Sequence, residues 1–286
     1  MNPQPERLSL DPLLPAEMAL RAEEIGAGKA RASALNLLAL SVLAGAFIAL
    51  GAAFFTTVTT DAGFGYGPTR LLGGVAFSLG LFLVVVAGAE LFTGDNLMVM
   101  AWAGRRISTV LLLRAWGIVY LGNLFGAVAT ALLVFLSAQW RFADYEVGAN
   151  ALRIANAKVN LDFAEAFFLG VLCNALVCLA VWLTYSARSN IDKAIAVVFP
   201  ITAFIASGYE HSIANMYFIP LGLLLKRQDA VLTAVGTDSA QLGNLDVAHL
   251  LFANLLPVTA GNLVGGGLLV GAVYWFVYRR GAGRPQ

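Results

Sequence analysis

The apolar residues of this chain run in long blocks separated by short polar interruptions. Blocks over about 34–58, 69–102, 109–137, 163–186, 191–225 and 250–278 each reach the ~18–20 residues that cross a hydrocarbon core of about 30 Å. Two of them, 69–102 and 191–225, are too long for one straight span. Each is interrupted, the first at Glu90-Leu91-Phe92-Thr93-Gly94-Asp95-Asn96 and the second at Gly208-Tyr209-Glu210-His211-Ser212. The pattern predicts an all-α integral membrane protein with six spans, the second and fifth broken. Ahead of them, Leu13, Leu14, Met18, Leu20 and Ile25 interleave with Glu17, Arg21, Glu23 and Glu24, which predicts a short interfacial helix. A polar excursion over 138–161 and a linker carrying Lys226, Arg227, Asp229, Asp238 and Asp246 lie between spans. The expected organisation is an amphipathic N-terminal segment (1–32), one six-span domain (33–279) and a short tail (280–286).

Composition supports this. Of 286 residues, 59% are hydrophobic and only 12% charged, about half the ~25% of soluble domains. Such a chain cannot coat a globular surface with charge, and a lipid bilayer removes the need. A net charge of +1 points to no nucleic-acid partner. The first 30 residues hold no apolar stretch of signal-peptide type. Cys173 and Cys178 lie five apart in one apolar run, on different sides of a helix, and are expected as unpaired packing residues.

With six spans both termini share a side. If that side is the cytoplasm, the inner set is Arg7, Arg21, Lys29, Arg31, Arg105, Arg106, Arg114, Arg188, Lys193, Arg279, Arg280 and Arg284. The outer set is then Arg70, Arg141, Arg153, Lys158, Lys226 and Arg227. Twelve against six predicts cytoplasmic termini in a bacterial-type inner (plasma) membrane.

The halves repeat. Span three carries Gly122-Asn123-Leu124-Phe125-Gly126-Ala127 and span six Gly261-Asn262-Leu263-Val264-Gly265-Gly266. Each half reads as a span, a broken span and a span with this motif. Three spans per repeat require the second repeat to be inverted, and paired broken helices in inverted repeats point to a central transport site. Small residues that merely pack membrane helices would also produce such motifs.

Ionisable residues inside spans are costly and normally face a cavity or a partner. Glu90, Asp95, Glu210 and His211 are such residues. A broken helix frees backbone groups at membrane depth, and half-helix N-termini suit an anion. Burial opposes the charged form of a histidine and a nearby anion favours it, so His211 could exchange a proton with a passing weak acid. The bland alternative is a core histidine bonded to Asn174 or Asn262. The Thr93 hydroxyl could donate to an anion or a ring nitrogen, or bond back to its own helix. Glu90 and Glu210 are expected to accept backbone N–H groups at the breaks, and Asp95 to do the same or to cap the next half-helix. Lys158 is expected at the outer mouth, where it would raise local anion concentration or simply be solvated. Phe77, Leu81 and Phe204 could form apolar constrictions or ordinary packing. No nucleophile–base set, metal cluster or phosphate-binding glycine loop is evident, so no cofactor or enzymatic activity is expected. The competing classes are a membrane enzyme using His211 with Glu210 or Asp95, and a neutral-solute pore.

Four segments carry a resemblance: Ala89-Glu90-Leu91-Phe92-Thr93, Asn174 to Trp182 (NALVCLAVW), Ser207 to Met216 (SGYEHSIANM) and Pro257-Val258-Thr259-Ala260-Gly261-Asn262. In this order and spacing, over roughly residues 10–280, the chain resembles the formate/nitrite transporter family, and most closely its formate channels. The resemblance implies an aquaporin-like fold and a homopentamer with one pore per protomer. It also implies a small anion as substrate, formate foremost, with nitrite or hydrosulfide as the alternative. Through it His211 corresponds to a central pore histidine, Thr93 to the threonine facing it and Asn174 to the asparagine beside it. Lys158 corresponds to the outer vestibule lysine, Phe77 and Phe204 to the outer constriction, and Leu81 to the inner one. Asn215 and Asn262, within these segments, and Asn123, in the repeated Gly-Asn motif of span three, are expected to support the breaks. The chain departs from the formate-channel pattern at Gly94-Asp95-Asn96, which is more polar than the pattern leads one to expect at the inner mouth.

Overall fold

A computed structural model describes residues 12–281. Residues 1–11 of the N-terminal segment and 282–286 of the tail lie outside the described residues. No strand occurs among the described residues. In order, the helices are α1 (Pro15–Arg31), α2 (Ala34–Thr59), α3 (Tyr66–Ala87), α4 (Phe92–Asp95), α5 (Val99–Ala103), α6 (Thr109–Leu136), α7 (Glu146–Val159), α8 (Phe163–Ser186), α9 (Asn190–Ala206), α10 (Ser212–Leu225) and α11 (Asp229–Val235). A last long helix, α12 (His249–Tyr278), includes wide turns. Five of these, α2, α3, α6, α8 and α12, are long and apolar enough to cross a bilayer. The remaining expected span is the pair α9 and α10, each too short alone.

The ends of the helices have local causes. The Ser33, Ser108 and Ser189 hydroxyls cap α2, α6 and α9 by accepting from Asn36, Leu111 and Asp192 N–H groups. α3 stops where Gly88 takes a left-handed conformation (φ 80°), and the chain after α9 does the same at Gly208 (φ 75°), a region open to glycine at little cost. Helix resumes at Phe92 and at Ser212. Each spanning helix buries one side and leaves the other apolar and exposed. On α2 Leu37, Ala44, Ile48 and Ala52 are buried, while Leu35, Leu43, Leu50 and Phe54 are exposed. Such a belt is stable in lipid and would be an aggregation site in water.

The segment expected to lie in the interface packs against the protein as α1. Its Met18, Ala19, Ala22, Ala27 and Ala30 are buried, and buried Glu23 pairs with Arg106 at 3.1 Å and Arg279 at 3.2 Å. The polar excursion likewise contains a helix, α7, which packs against α10 with Ala151, Leu152 and Ala155 buried.

The glycine motifs set the closest helix crossings. A Cβ on Gly126 of α6 would run into the Val42 carbonyl oxygen of α2, and one on Gly265 of α12 into the Val171 carbonyl oxygen of α8. Backbone cannot yield as a side chain can. Gly126→Val is expected to cost at least the ~1–3 kcal/mol of ordinary overpacking, read as a lower unfolding midpoint in detergent. A change to Val at Gly117, where nothing lies within 4 Å of the added carbon, should leave the midpoint in place.

Candidate functional site: a buried threonine–histidine pair between two cavities

The two helix breaks are held by one device used twice. Asn123, on α6, donates through Nδ2 to the Ser41 (2.8 Å) and Glu90 (2.9 Å) carbonyls and accepts the Phe92 N–H at 2.9 Å. Asn262, on α12, donates to the Gly170 (2.8 Å) and Glu210 (3.0 Å) carbonyls and accepts the Ser212 N–H at 3.0 Å. The Glu90 and Glu210 N–H groups complete each set by donating to Leu40 (3.2 Å) and Leu169 (3.3 Å). Backbone groups freed at membrane depth need such partners, and a buried asparagine supplies both donor and acceptor.

The glutamate side chains do not take the backbone N–H groups expected of them, because the asparagines and neighbouring carbonyls already do. They pair with lysines. Glu90 Oε2 lies 2.6 Å from Lys29 Nζ, and Glu210 Oε1 lies 2.7 Å from Lys158 Nζ. Both lysines come from short helices that precede a half, α1 and α7, so the likeness of the two halves extends beyond the glycine motifs. Asp95 ends α4 and stands at the cap position of the next turn, but its side chain makes no cap bond; its Oδ1 meets Lys29 at 2.6 Å instead. Burial alone would push the Lys29 ammonium down, but Asp95 and Glu90 outweigh it and hold the group well above the ordinary lysine range. Lys158 sits on a helix, not in a loop, and is largely buried. Asn215 donates to Glu210 Oε2 and to Asn254 Oδ1, both at 2.7 Å, and Asn254 donates to the Lys158 carbonyl at 2.8 Å.

Two cavities adjoin the breaks. One, of about 210 Å³, is lined by Lys29, Leu81, Glu90, Gly94, Asp95 and Tyr185, among others. The other, of about 420 Å³, is lined by residues that include Phe55, Arg70, Lys158, Tyr209, Glu210 and Phe218. Thr93 neighbours Gly94 of the first, and His211 neighbours Glu210 of the second. The two side chains meet, Thr93 Oγ1 lying 2.9 Å from His211 Nε2, and both are buried. His211 also caps α10, its Nδ1 accepting the Ala214 N–H at 3.1 Å. With Nδ1 an acceptor, the neutral ring carries its proton on Nε2 and donates it to Thr93. The threonine's own proton is then free for another acceptor.

Aromatic rings adjoin the histidine. Phe77 and Phe204 meet edge to face at 5.6 Å between ring centres, Phe204 lies over the His211 ring at 5.9 Å, and all three residues are buried, as is Leu81. Asn174 serves Thr93 from behind. It donates to the Thr93 (3.2 Å), Asn262 (2.7 Å) and Asn96 Oδ1 (2.7 Å) oxygens, with Cys178 Sγ 3.2 Å from the same Thr93 carbonyl. Neither Asn174 nor Asn262 is the histidine's side-chain partner. Both cysteines are free and buried. His249, at the start of α12, pairs with Asp246 at 2.8 Å, away from the site.

The residues that the hydropathy pattern did not single out are Lys29 and Asn254, and Asn96 stands only as one polar residue of the first interruption, without its bond to Asn174. Lys29 counted only as one basic residue of the inner set. Its partners are 61 and 66 positions away, beyond any local signal.

A formate/nitrite transporter family profile matches residues 16–276. A formate channel FocA of Escherichia coli (strain K12) is 46% identical over 273 residues, covering 94% of this chain and 96% of that protein. A formate channel FocA of Haemophilus influenzae is 39% identical, covering 95% and 96%. Among solved structures, a pentameric formate channel with formate bound is 42% identical with a TM-score of 0.81, covering 86% of this chain and 97% of its own. An FNT family ion channel is 32% identical with a TM-score of 0.76, covering 91% and 98%.

Proposed function

Since the chain belongs to the formate/nitrite transporter family, we propose that it passes small monovalent weak-acid anions, formate foremost, across a bacterial-type inner membrane. The assembly in this reading is a homopentamer with a pore in each protomer, formed by the single domain 33–279. Residues 1–32 and 280–286 lie on the cytoplasmic side, and the second half is inverted relative to the first. The matched asparagine and lysine–glutamate sets of the two halves support that symmetry.

One observation carries the reading: the buried Thr93–His211 pair, each member next in sequence to a residue that lines a cavity, with Phe204 over the histidine and Phe77 against Phe204. An anion entering from the Lys158 side is drawn by the basic residues there and loses water at the phenylalanines. It then meets the Thr93 hydroxyl and the His211 ring. Shedding water around a bare charge is expensive. Taking a proton turns the anion into its neutral acid and removes most of that cost, so a titratable group at the narrowest place suits a weak acid. Asn174 positions Thr93, and Asn123, Asn262, Asn215, Glu90 and Glu210 hold the breaks on which the pair sits.

The test is flux in proteoliposomes with formate, nitrite, acetate and hydrosulfide across a range of pH. Formate flux that rises toward acid pH is the expected outcome. Faster nitrite or hydrosulfide flux would reassign the substrate within the same pore. Conversion of the solute would indicate an enzyme, and flux of neutral solutes alone an aquaporin-like pore.

Lys158 offers a sharper test. Lys158→Ala removes a charge that draws anions and leaves Glu210 buried without its cation, which is strongly destabilising. Uptake at low formate is expected to fall several-fold and the unfolding midpoint to drop. Lys158→Met combined with Glu210→Gln should restore the midpoint, because no charge is left alone, yet not the uptake at low formate. Recovery of both would reduce Lys158 to a structural partner of Glu210.

A further inference from the structure

The cavity at the first break does not balance its charges. Lys29 faces two carboxylates, Glu90 and Asp95, each 2.6 Å from the same Nζ. Their contacting oxygens are therefore no more than twice that distance apart. The cavity at the second break has two cations, Arg70 and Lys158, for its two carboxylates, Glu165 and Glu210. The surplus charge of the first cavity comes from Asp95, in the Gly94-Asp95-Asn96 segment where the sequence leaves the formate-channel pattern. Asp95 is 2% exposed, lines the cavity, and its second oxygen, Oδ2, is buried with no hydrogen-bond partner. A buried carboxylate oxygen without a donor is costly, and two carboxylates in one buried site do not readily both stay ionised.

We propose that Asp95 is a proton-binding site, its buried carboxyl placed beside Lys29 and Glu90, and that this proton sets the charge an anion meets in that cavity. With the proton in place the set is neutral and an anion passes. Without it the cavity carries a net negative charge and repels the anion. The proton comes from the aqueous side of the cavity and returns there, and no covalent bond between heavy atoms changes. Other groups near Asp95 are Tyr185 and Cys178 from α8 and the Trp116 indole of α6, which donates to the Asp95 carbonyl at 3.0 Å. None of these supplies a second cation. Asn96, bonded to Asn174, and the Trp116 bond hold the segment so that Asp95 keeps its place. The effect on flux rests on the anion-transport reading; the proton site itself does not.

Infrared difference spectra of the lipid-reconstituted protein between acid and alkaline pH test the site without any transport. A carboxylic-acid C=O band that disappears on alkalinisation and shifts on labelling with carbon-13 aspartate is expected. The band should be lost in Asp95→Asn. In Glu90→Gln its midpoint should move to lower pH, since the neighbouring negative charge is gone. A band that is absent in the wild type, or survives Asp95→Asn, would overturn the proposal, and carbon-13 labelling decides the matter if the variants fail to assemble. Formate flux is then compared at alkaline pH in a His211→Asn background, where the histidine no longer titrates. Asp95→Asn should raise that flux several-fold, and unchanged flux would overturn the gating role. Wild-type protein with the infrared band and no formate flux at any pH would instead refute the transport reading.

Discussion

His211→Asn should leave an assembled protein whose anion flux no longer follows pH on account of the central site. Asparagine is among the better N-cap residues, so it can replace the Nδ1 acceptor that holds the Ala214 N–H at the start of α10. It also offers Thr93 a hydrogen-bonding partner, but it does not titrate. If the histidine passes a proton to the weak acid, its loss removes the route by which the substrate crosses as neutral acid. The acid-side rise in formate flux should flatten by an order of magnitude or more, while the bare anion conducts at least as well. His211→Phe removes cap and partner together, leaving Thr93 Oγ1 unpaired and costing α10 about 1 kcal/mol for the lost cap. Flux in proteoliposomes under imposed pH gradients and the unfolding midpoint in detergent read the two effects separately. Wild-type pH dependence in His211→Asn would return the residue to a structural role.

Asn262→Leu and Asn123→Leu should be the most damaging single changes to folding, and damaging to a similar degree. Each asparagine satisfies three backbone groups at membrane depth. Leucine fills the space and satisfies none. An orphaned buried group costs roughly 1–3 kcal/mol. Membrane double-mutant cycles put a single interhelical hydrogen bond lower, near ~0.6 kcal/mol, because the unfolded chain in lipid finds other partners. A helix break has fewer alternatives, so a loss of several kcal/mol per variant is expected, seen as aggregated or unrecoverable protein on size-exclusion chromatography. Asn160→Leu, which removes an exposed asparagine bonded to Asn156 and Asn244, is the control and should behave as wild type. Near-normal recovery of only one of the two variants would mean that the breaks are not equivalent.

How far the sequence reaches can be judged residue by residue. The spans follow from hydropathy because lipid rewards apolar length directly, and the expected 34–58 and 163–186 become Ala34–Thr59 and Phe163–Ser186. The breaks are legible because ionisable residues are too costly to sit in a straight helix facing lipid, so a cluster of them inside an apolar block marks a place where the helix is interrupted. The Gly-Asn motifs mark the two asparagines, although not that each bridges a carbonyl and an N–H of the same break. The partners of the carboxylates are hidden. Glu90 and Glu210 look alike and are expected to serve backbone, but a lysine on an amphipathic helix can reach a buried acid through contacts that leave no periodic trace. α1 and α7 are invisible as docked helices for the same reason. Their short apolar faces resemble those of surface or interfacial helices, and tertiary packing alone distinguishes them.

The hydrogen bond from Ala214 to the His211 ring has a further consequence. An imidazolium has a hydrogen on both nitrogens, so Nδ1 cannot accept that N–H while the ring is charged. A neutral ring of the capped tautomer has only its Nε2 proton to give, and releasing it would leave an imidazolate. Any cycle in which this histidine hands a proton to substrate therefore passes through a moment when the first turn of α10 is uncapped. Proton transfer at the ring and slackening of the half-helix behind it become one event. A backbone amide, that of Ala214, would report it by faster exchange with solvent deuterium during turnover than at rest.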